Sequence, residues 1–446
     1  MAHVRWALAG MLTVASAGCG DDGSPSDATG SSGGDASSST SADTSGADTS
    51  STGDASSSTG ADDDTSGSAG ESSSSTGTPA CDAFVPGASF EIAADVSNTR
   101  IHPHAAGDAT GAWFSFVTPE PAGSLFDVML MHLRCESDVD VAPLLVNTGP
   151  GNDIDASVAV SDDRVLVVWN TDDGTDSTSN LQINARTFDL DGLPLQREQF
   201  RVTTAFDGMP IVQNHTLAAV SAVDGGFSVA GLRAHPQSPA FVAFAQAVDA
   251  SGTLQGEAFG APVEEGISHM HASSASGWLT YARSGDDDQV WLAPTSGEAP
   301  FAVFGGGPAT GGQVLAREDA PLAPLVAATI GTGSALDVGI ALGDGDTLVL
   351  GDPGSLEHSP TVAQGPAGEL AVIYHRNLGG LNNAVVFQRL AIDADAVVAV
   401  GDPEELDTQS PPYPPSLTWT PGGWLATWSR GQSPDFSTWG QVLAPR

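Results

Sequence analysis

From residue 80 onward, apolar residues fall in short β-branched and aromatic runs, broken by Gly, Pro, Asp and Asn. Alternation over such short runs is the period of a strand with a buried face. No long stretch carries the 3.6-residue period of an amphipathic helix. The chain therefore reads as all-β through its C-terminal four-fifths.

The runs recur as a unit. A short apolar strand, often preceded by Pro or His, leads into a Gly-containing turn and a second strand ending in an aromatic. Examples are Gly111-Ala112-Trp113-Phe114-Ser115-Phe116, Arg164-Val165-Leu166-Val167-Val168-Trp169, Gly277-Trp278-Leu279-Thr280-Tyr281 and Gly423-Trp424-Leu425-Ala426-Thr427-Trp428. A polar loop, a third strand such as Leu181-Gln182-Ile183-Asn184-Ala185-Arg186, a turn such as Asp189-Leu190-Asp191-Gly192 and a last strand complete it. Units fall at about 101–151, 152–207, 208–266, 267–308, 309–355, 356–408 and 409–446, the spacing of four-stranded propeller blades.

The last unit runs out after three strands at Gln441-Val442-Leu443, and Gly87-Ala88-Ser89-Phe90-Glu91-Ile92 stands ahead of the first unit as a spare strand. Pairing the two would close the ring and leave no raw sheet edge. The predicted fold is an all-β, seven-bladed β-propeller closed by an N-terminal strand and preceded by a disordered linker. In architecture alone this resembles the closure of other seven-bladed propellers; a pair of two-sheet sandwiches is the competing arrangement.

The N-terminus is organised differently. Arg5 precedes a short apolar run from Trp6 to Ala17, the pattern of a signal peptide and too short for a permanent membrane span. Ser16-Ala17-Gly18-Cys19 resembles a bacterial lipobox, although Ser16 stands where Leu is usual. The resemblance implies a signal peptide over 1–18, cleavage before Cys19 and lipidation of its thiol. Gly20 follows Cys19 where a retained inner-membrane lipoprotein would carry Asp, which implies the outer membrane. Lipid chains on one cysteine anchor a protein without a spanning helix.

Residues 19–79 are almost entirely Ser, Thr, Gly, Asp and Ala, with no aromatic and no aliphatic side chain larger than Ala between Gly20 and Pro79. Such a segment cannot offset the entropy of ordering itself and reads as a disordered stalk, leaving 80–446 as the propeller domain. With Cys19 given to the anchor, Cys81 and Cys135 remain for each other, and export places them where disulfides form.

Composition then limits partners. Fifty-five acidic residues against 14 basic ones, all Arg, give a net charge of −41. That field repels nucleic acid, so the expected partners are the membrane, through the N-terminal lipid, and an envelope protein or glycan; a monomer is expected.

Candidate chemistry is sparse. His102 with His104, and His269 with His271, form two His-x-His pairs on strands that would line the channel. Alternate strand residues share one face, so each pair could offer two imidazoles to a transition metal. Asp172, Asp173 and Asp176 form an oxygen-rich loop of the kind that holds calcium. Against both stands a plain alternative: histidines in turn hydrogen bonds and aspartates in solvated turns. Two functional readings follow: a non-enzymatic envelope module presenting its propeller for binding or as a scaffold, or an envelope hydrolase or lyase using a metal held by the four histidines.

Overall fold

The structure, a computed structural model, describes residues 83–96, 104–119, 125–149, 151–172, 181–202, 215–234, 241–265, 267–284, 288–317, 320, 323–352, 354–379, 382–432 and 435–445. Cys19, Cys81, His102, Asp173 and Asp176 lie outside these residues, as does the whole stalk. Twenty-eight strands form seven four-stranded antiparallel sheets, and among the described residues there is no α-helix. Among the described residues, no helix is long and apolar enough to cross a membrane.

The innermost strands of blades 1 to 7 are His104–Gly107, Asn152–Ser161, His215–Val223, His269–Ala275, Ala309–Leu315, Glu357–Gln364 and Ser416–Thr420. Each packs against the next, and the seventh packs against the first, so the ring is closed.

The second strands explain why this sequence forms blades. In Arg164–Asp172 of blade 2, both faces are buried, which is why the run Val-Leu-Val-Val-Trp shows no polar alternation. Val165, Val167 and Trp169 pack with Trp113 and Leu130 of blade 1, whereas Leu166 and Val168 pack with Phe227 and Val229 of blade 3. The pattern repeats around the ring, giving seven hydrophobic clusters, one at each junction between blades. A buried Val or Leu side chain contributes about 1.5–3 kcal/mol, so each junction draws its stability from two facing blades at once.

Blade 7 supplies only three strands, and Phe90–Val96 is its fourth. The pairing is antiparallel to Asp435–Leu443, with Phe90 opposite Gly440 and Glu91 opposite Trp439. The Gly87 N–H extends it by donating to the Val442 carbonyl at 3.2 Å. Gly440 makes room for the closing side chains, since a Cβ there would stand 2.9 Å from Ile92 Cδ1 and 3.1 Å from Phe90 Cζ. The first and last blades also meet backbone to backbone: a Cβ on Gly107 would lie 1.7 Å from the Trp419 carbonyl oxygen.

The long outer strand of blade 6, Ala396–Ser410, exposes Asp402, Pro403, Glu404 and Glu405. Charge and proline on a free edge oppose pairing with another sheet, so part of the chain's acidity protects the fold.

Candidate functional site

Alternating strand directions sort the connections onto two rims. The crossover into each innermost strand and the loop between second and third strands share one rim, here called the crossover rim. The turns between first and second strands, and between third and fourth, share the other. Of the residues singled out from sequence, His104, His269 and His271 stand on innermost strands and Asp172 at the crossover-rim end of a second strand; His102, Asp173 and Asp176 lie outside the described residues.

Polar groups on those strands stitch the ring together. Ser416 Oγ and Thr418 Oγ1 accept from the N–H groups of Ala105 and Gly107 at 3.3 and 2.8 Å, joining blade 7 to blade 1. His104 Nδ1 lies 3.4 Å from Ser157 Oγ, joining blade 1 to blade 2. Ser161 Oγ donates to the Val223 carbonyl at 3.0 Å and Ser221 Oγ to the Ser274 carbonyl at 2.6 Å. Ser273 Oγ accepts from the Val314 N–H at 3.4 Å, and Gln313 Oε1 accepts from the Val362 N–H at 2.8 Å. Thr361 Oγ1 donates to the Pro415 carbonyl at 2.7 Å and completes the girdle. Small hydroxyls suit this role because they reach one backbone group across a tight joint without filling it.

The innermost strands of blades 2 to 6 each carry a one-residue bulge at a matching point. At four of these bulges a residue has positive φ: Asp155 (54°), His271 (56°), Gly311 (66°) and Ser359 (56°). Such a conformation in a non-glycine residue is held against its own preference by the surrounding sheet.

These bulges decide where the histidines go. His271 is the extra residue between Met270 and Ala272, so the alternation that would align it with His269 is broken. His269 is 2% exposed; its Nδ1 accepts from the Ala243 N–H at 3.0 Å, and its ring lies 4.5 Å from that of Tyr281. Burial, reinforced by the Arg283 charge, pulls its pKa down to about 4, so the ring is neutral at ordinary pH. His104 does not share a register with either: it stands two residues before Ala106, the partner of Trp113, and the matching residue before Ala275, the partner of Trp278, is Ser273. Among the described residues, no group of three or more His, Cys, Asp or Glu is arranged to hold a metal ion.

One histidine pair escaped the sequence reading. His358 and His375 are opposite each other on neighbouring strands of blade 6, with ring centroids 5.4 Å apart. His358 contacts Ser359 Oγ (2.9 Å) and Asn383 Oδ1 (3.2 Å); His375 Nε2 lies 3.1 Å from Ser410 Oγ. Burial lowers both pKa values, that of His375 the more. Their spacing of 17 residues has no local signature, because only strand pairing brings them together.

The acidic groups are likewise employed. Asp172 ends the second strand of blade 2, opposite Asn152. Indole N–H groups donate to buried carboxylates in three blades: Trp113 to Asp108 at 2.9 Å, Trp169 to Asp153 at 2.9 Å and Trp428 to Asp407 at 2.6 Å. Hydrogen bonding to His132 and Thr110 outweighs burial and holds Asp108 far below the usual carboxylate range. Three arginines at the crossover-rim ends of second strands grip carboxylates arriving from the preceding blade. They are Arg283 with Glu264 (2.8 Å), Arg376 with Asp352 (3.0 Å) and Arg430 with Asp407 (2.6 Å).

No known protein family and no curated protein matches this chain. Among solved structures it is similar to a protein of unknown function from Dyadobacter fermentans DSM 18053. That pair shares 10% identity over 79% of this chain and 99% of the other, with a TM-score of 0.47. A neuraminidase-like protein of A/little yellow-shouldered bat/Guatemala gives 10% identity over 80% and 98%, with a TM-score of 0.42. A thermostable family-43 glycoside hydrolase gives 13% over 74% and 97%, with a TM-score of 0.35. Likeness at this level carries no argument about what the chain binds or does.

Beside the crossover rim, a shallow cleft of about 350 Å³ runs along the Glu405–Gln409 stretch of blade 6 against Arg430. Its Asp407–Arg430 ion pair is the same one that fastens blade 7 to blade 6, so the cleft borders a structural clamp.

Proposed function

We propose that the chain is a non-enzymatic cell-envelope lipoprotein whose propeller serves as a binding or scaffold module. The observation that carries this is the girdle. Hydroxyl, amide and imidazole groups of the innermost strands serve the joints of a closed ring, which makes the ring a stiff platform for the loops on its rims. Rigid scaffolds bearing variable loops are how binding surfaces are commonly held in place.

In this reading Cys19 carries the lipid and places the protein at the outer membrane, facing the periplasm or the cell surface. The stalk, treated as a flexible coil, spans roughly 40–50 Å and sets the module away from the bilayer. The partners are the membrane, through the lipid, and an envelope protein or glycan, with the chain itself a monomer. A Cys81–Cys135 disulfide ties the N-terminal segment to blade 1. In support, Phe84 packs in the same cluster as Cys135, and the Val85 N–H donates to Glu136 Oε1 at 2.7 Å. Closing a loop of this length contributes about 4 kcal/mol in the chain-entropy account.

Replacing Cys19 by Ser should move the protein from the membrane to the soluble fraction, and unchanged fractionation would refute the anchor. Intact mass under non-reducing conditions should be about 2 Da below the reduced value, the two thiol hydrogens removed when oxidation forms one disulfide. Equal masses would remove the Cys81–Cys135 bond.

A further inference from the structure

The turn from third to fourth strand is built alike in blades 2 and 3. In blade 2 the Asp189 N–H donates to the Leu193 carbonyl at 3.0 Å, and the Asp189 carboxylate accepts from the N–H groups of Asp191 (3.1 Å) and Leu193 (2.8 Å). In blade 3 the Asp249 N–H donates to the Thr253 carbonyl at 2.9 Å, and the Asp249 carboxylate accepts from the N–H groups of Ser251 and Thr253, both at 2.9 Å. Gly192 and Gly252 complete the two turns with positive φ, 78° and 83°. Where blade 3 places Thr253 and Gln255, blade 2 places Leu193 and Leu195, 62% and 42% exposed. The turn forms with polar residues at both positions, so its geometry does not call for leucine.

The leucines extend an apolar stripe. A Cβ on Gly192 would stand 2.8 Å from Val141 Cγ1 and 3.2 Å from Leu144 Cδ2, so the turn lies against the outer strand of blade 1, Asp138–Leu145. On that strand Val139 is 51% and Leu145 50% exposed, and Ala142 and Pro143 between them are exposed as well. Four of the nine large hydrophobic residues exposed among the described residues thus gather on two neighbouring elements. Exposed apolar residues scattered singly need no explanation, whereas a contiguous group marks a contact surface.

The surroundings limit what can cover it. Pro143 and three breaks in register against Phe126–Cys135 bar a further strand from adding to this edge, so an occupant must meet the side chains. Asp138, Asp140, Asp191 and Glu198 flank the stripe, against Arg197 and an Arg134 that already pairs with Asp140.

We propose that this stripe docks a protein partner presenting aliphatic side chains ringed by lysine or arginine. Charge decides among occupants: at a net −41, two copies of this chain repel each other, and a membrane of anionic headgroups repels the chain as well. The proposal rests on the binding-module reading and gives that reading a surface and a partner chemistry.

Fluorescence anisotropy of a labelled amphipathic Leu/Lys peptide titrated with the purified full chain tests it, with a Leu/Glu peptide of the same pattern as control. The Lys peptide should bind saturably and the Glu peptide should not, with amide hydrogen exchange slowed over 138–145 and 190–195. Leu193→Thr combined with Leu195→Gln, the residues blade 3 carries at the matching positions, should keep the denaturation midpoint. It should weaken binding at least about tenfold, the loss expected when two half-exposed leucines leave a contact. Leu378→Thr, at a leucine 49% exposed in blade 6, should leave binding unchanged. No saturable binding, equal binding of the two peptides, or a double variant that binds as the wild type does would overturn the proposal. So would self-association, or sedimentation with phosphatidylcholine vesicles, that the double variant abolishes, because the stripe would then belong to a second copy or to lipid. Exchange slowed only at the crossover rim would overturn the stripe and leave the binding-module reading in place.

Discussion

Lowering the pH from 7.5 to 5.0 should weaken the native ring through its buried histidines, and His269 allows the effect to be sized. Its native pKa of about 4 lies below the value of about 6.5 for an unfolded chain. Unfolding therefore lets the imidazole take up a proton that the native site refuses. Stability is unaffected above 7, falls as pH drops through 6.5 and levels off below 4. Integrated to pH 5.0, the loss from this residue alone is about 2 kcal/mol. With only 2% of the residue exposed, solvent screening removes little of it. His358 and His375 shift in the same direction and add to the slope. The assay is urea denaturation at pH 7.5 and 5.0 for the wild type and for His269→Asn, whose amide oxygen can still accept from the Ala243 N–H. The variant should lose stability at both pH values, but its drop between them should be smaller by about 2 kcal/mol. An unchanged drop would mean that His269 is protonated in the native ring, and the account of its burial would be wrong.

Two further substitutions probe the ring itself. Gly107→Ala forces a methyl group into the Trp419 carbonyl and should cost about 3 kcal/mol or prevent folding, read from the denaturation midpoint. A normal midpoint would show that blades 1 and 7 do not meet so closely. Asp407→Ala strips the carboxylate from Trp428 and Arg430, leaving a half-buried guanidinium without its partner, and should cost about 3 kcal/mol. Asp407→Asn should recover part of this, because an amide oxygen can still accept from the indole; if the two variants are equally stable, the clamp is not what fastens blade 7.

The strands, their grouping into seven blades and the pairing of Phe90 with the final strand could be read from the chain, because each depends on local chemistry. Period-two runs, turn glycines and a last unit one strand short are all visible along the backbone. The roles of the polar residues could not be read in the same way. His104 and His269 stand equally far before Trp113 and Trp278, yet the turn in blade 1 takes four residues, Asp108 to Gly111, and that in blade 4 takes two, Ser276 and Gly277. Those two extra residues, with the further pair Gly107 and Ala112 between the turn and Trp113, move His104 four positions to the place of Ser273, and the bulge at His271 breaks the remaining alignment. Registers depend on turn length and bulges, and a single inserted residue reverses the face on which a side chain emerges. Secondary structure and closure were thus decided by the order of residues alone. Only the folded ring decided that His358 meets His375 and that Asp407 meets Trp428 and Arg430, since contacts between distant segments exist only once strand pairing has set every register.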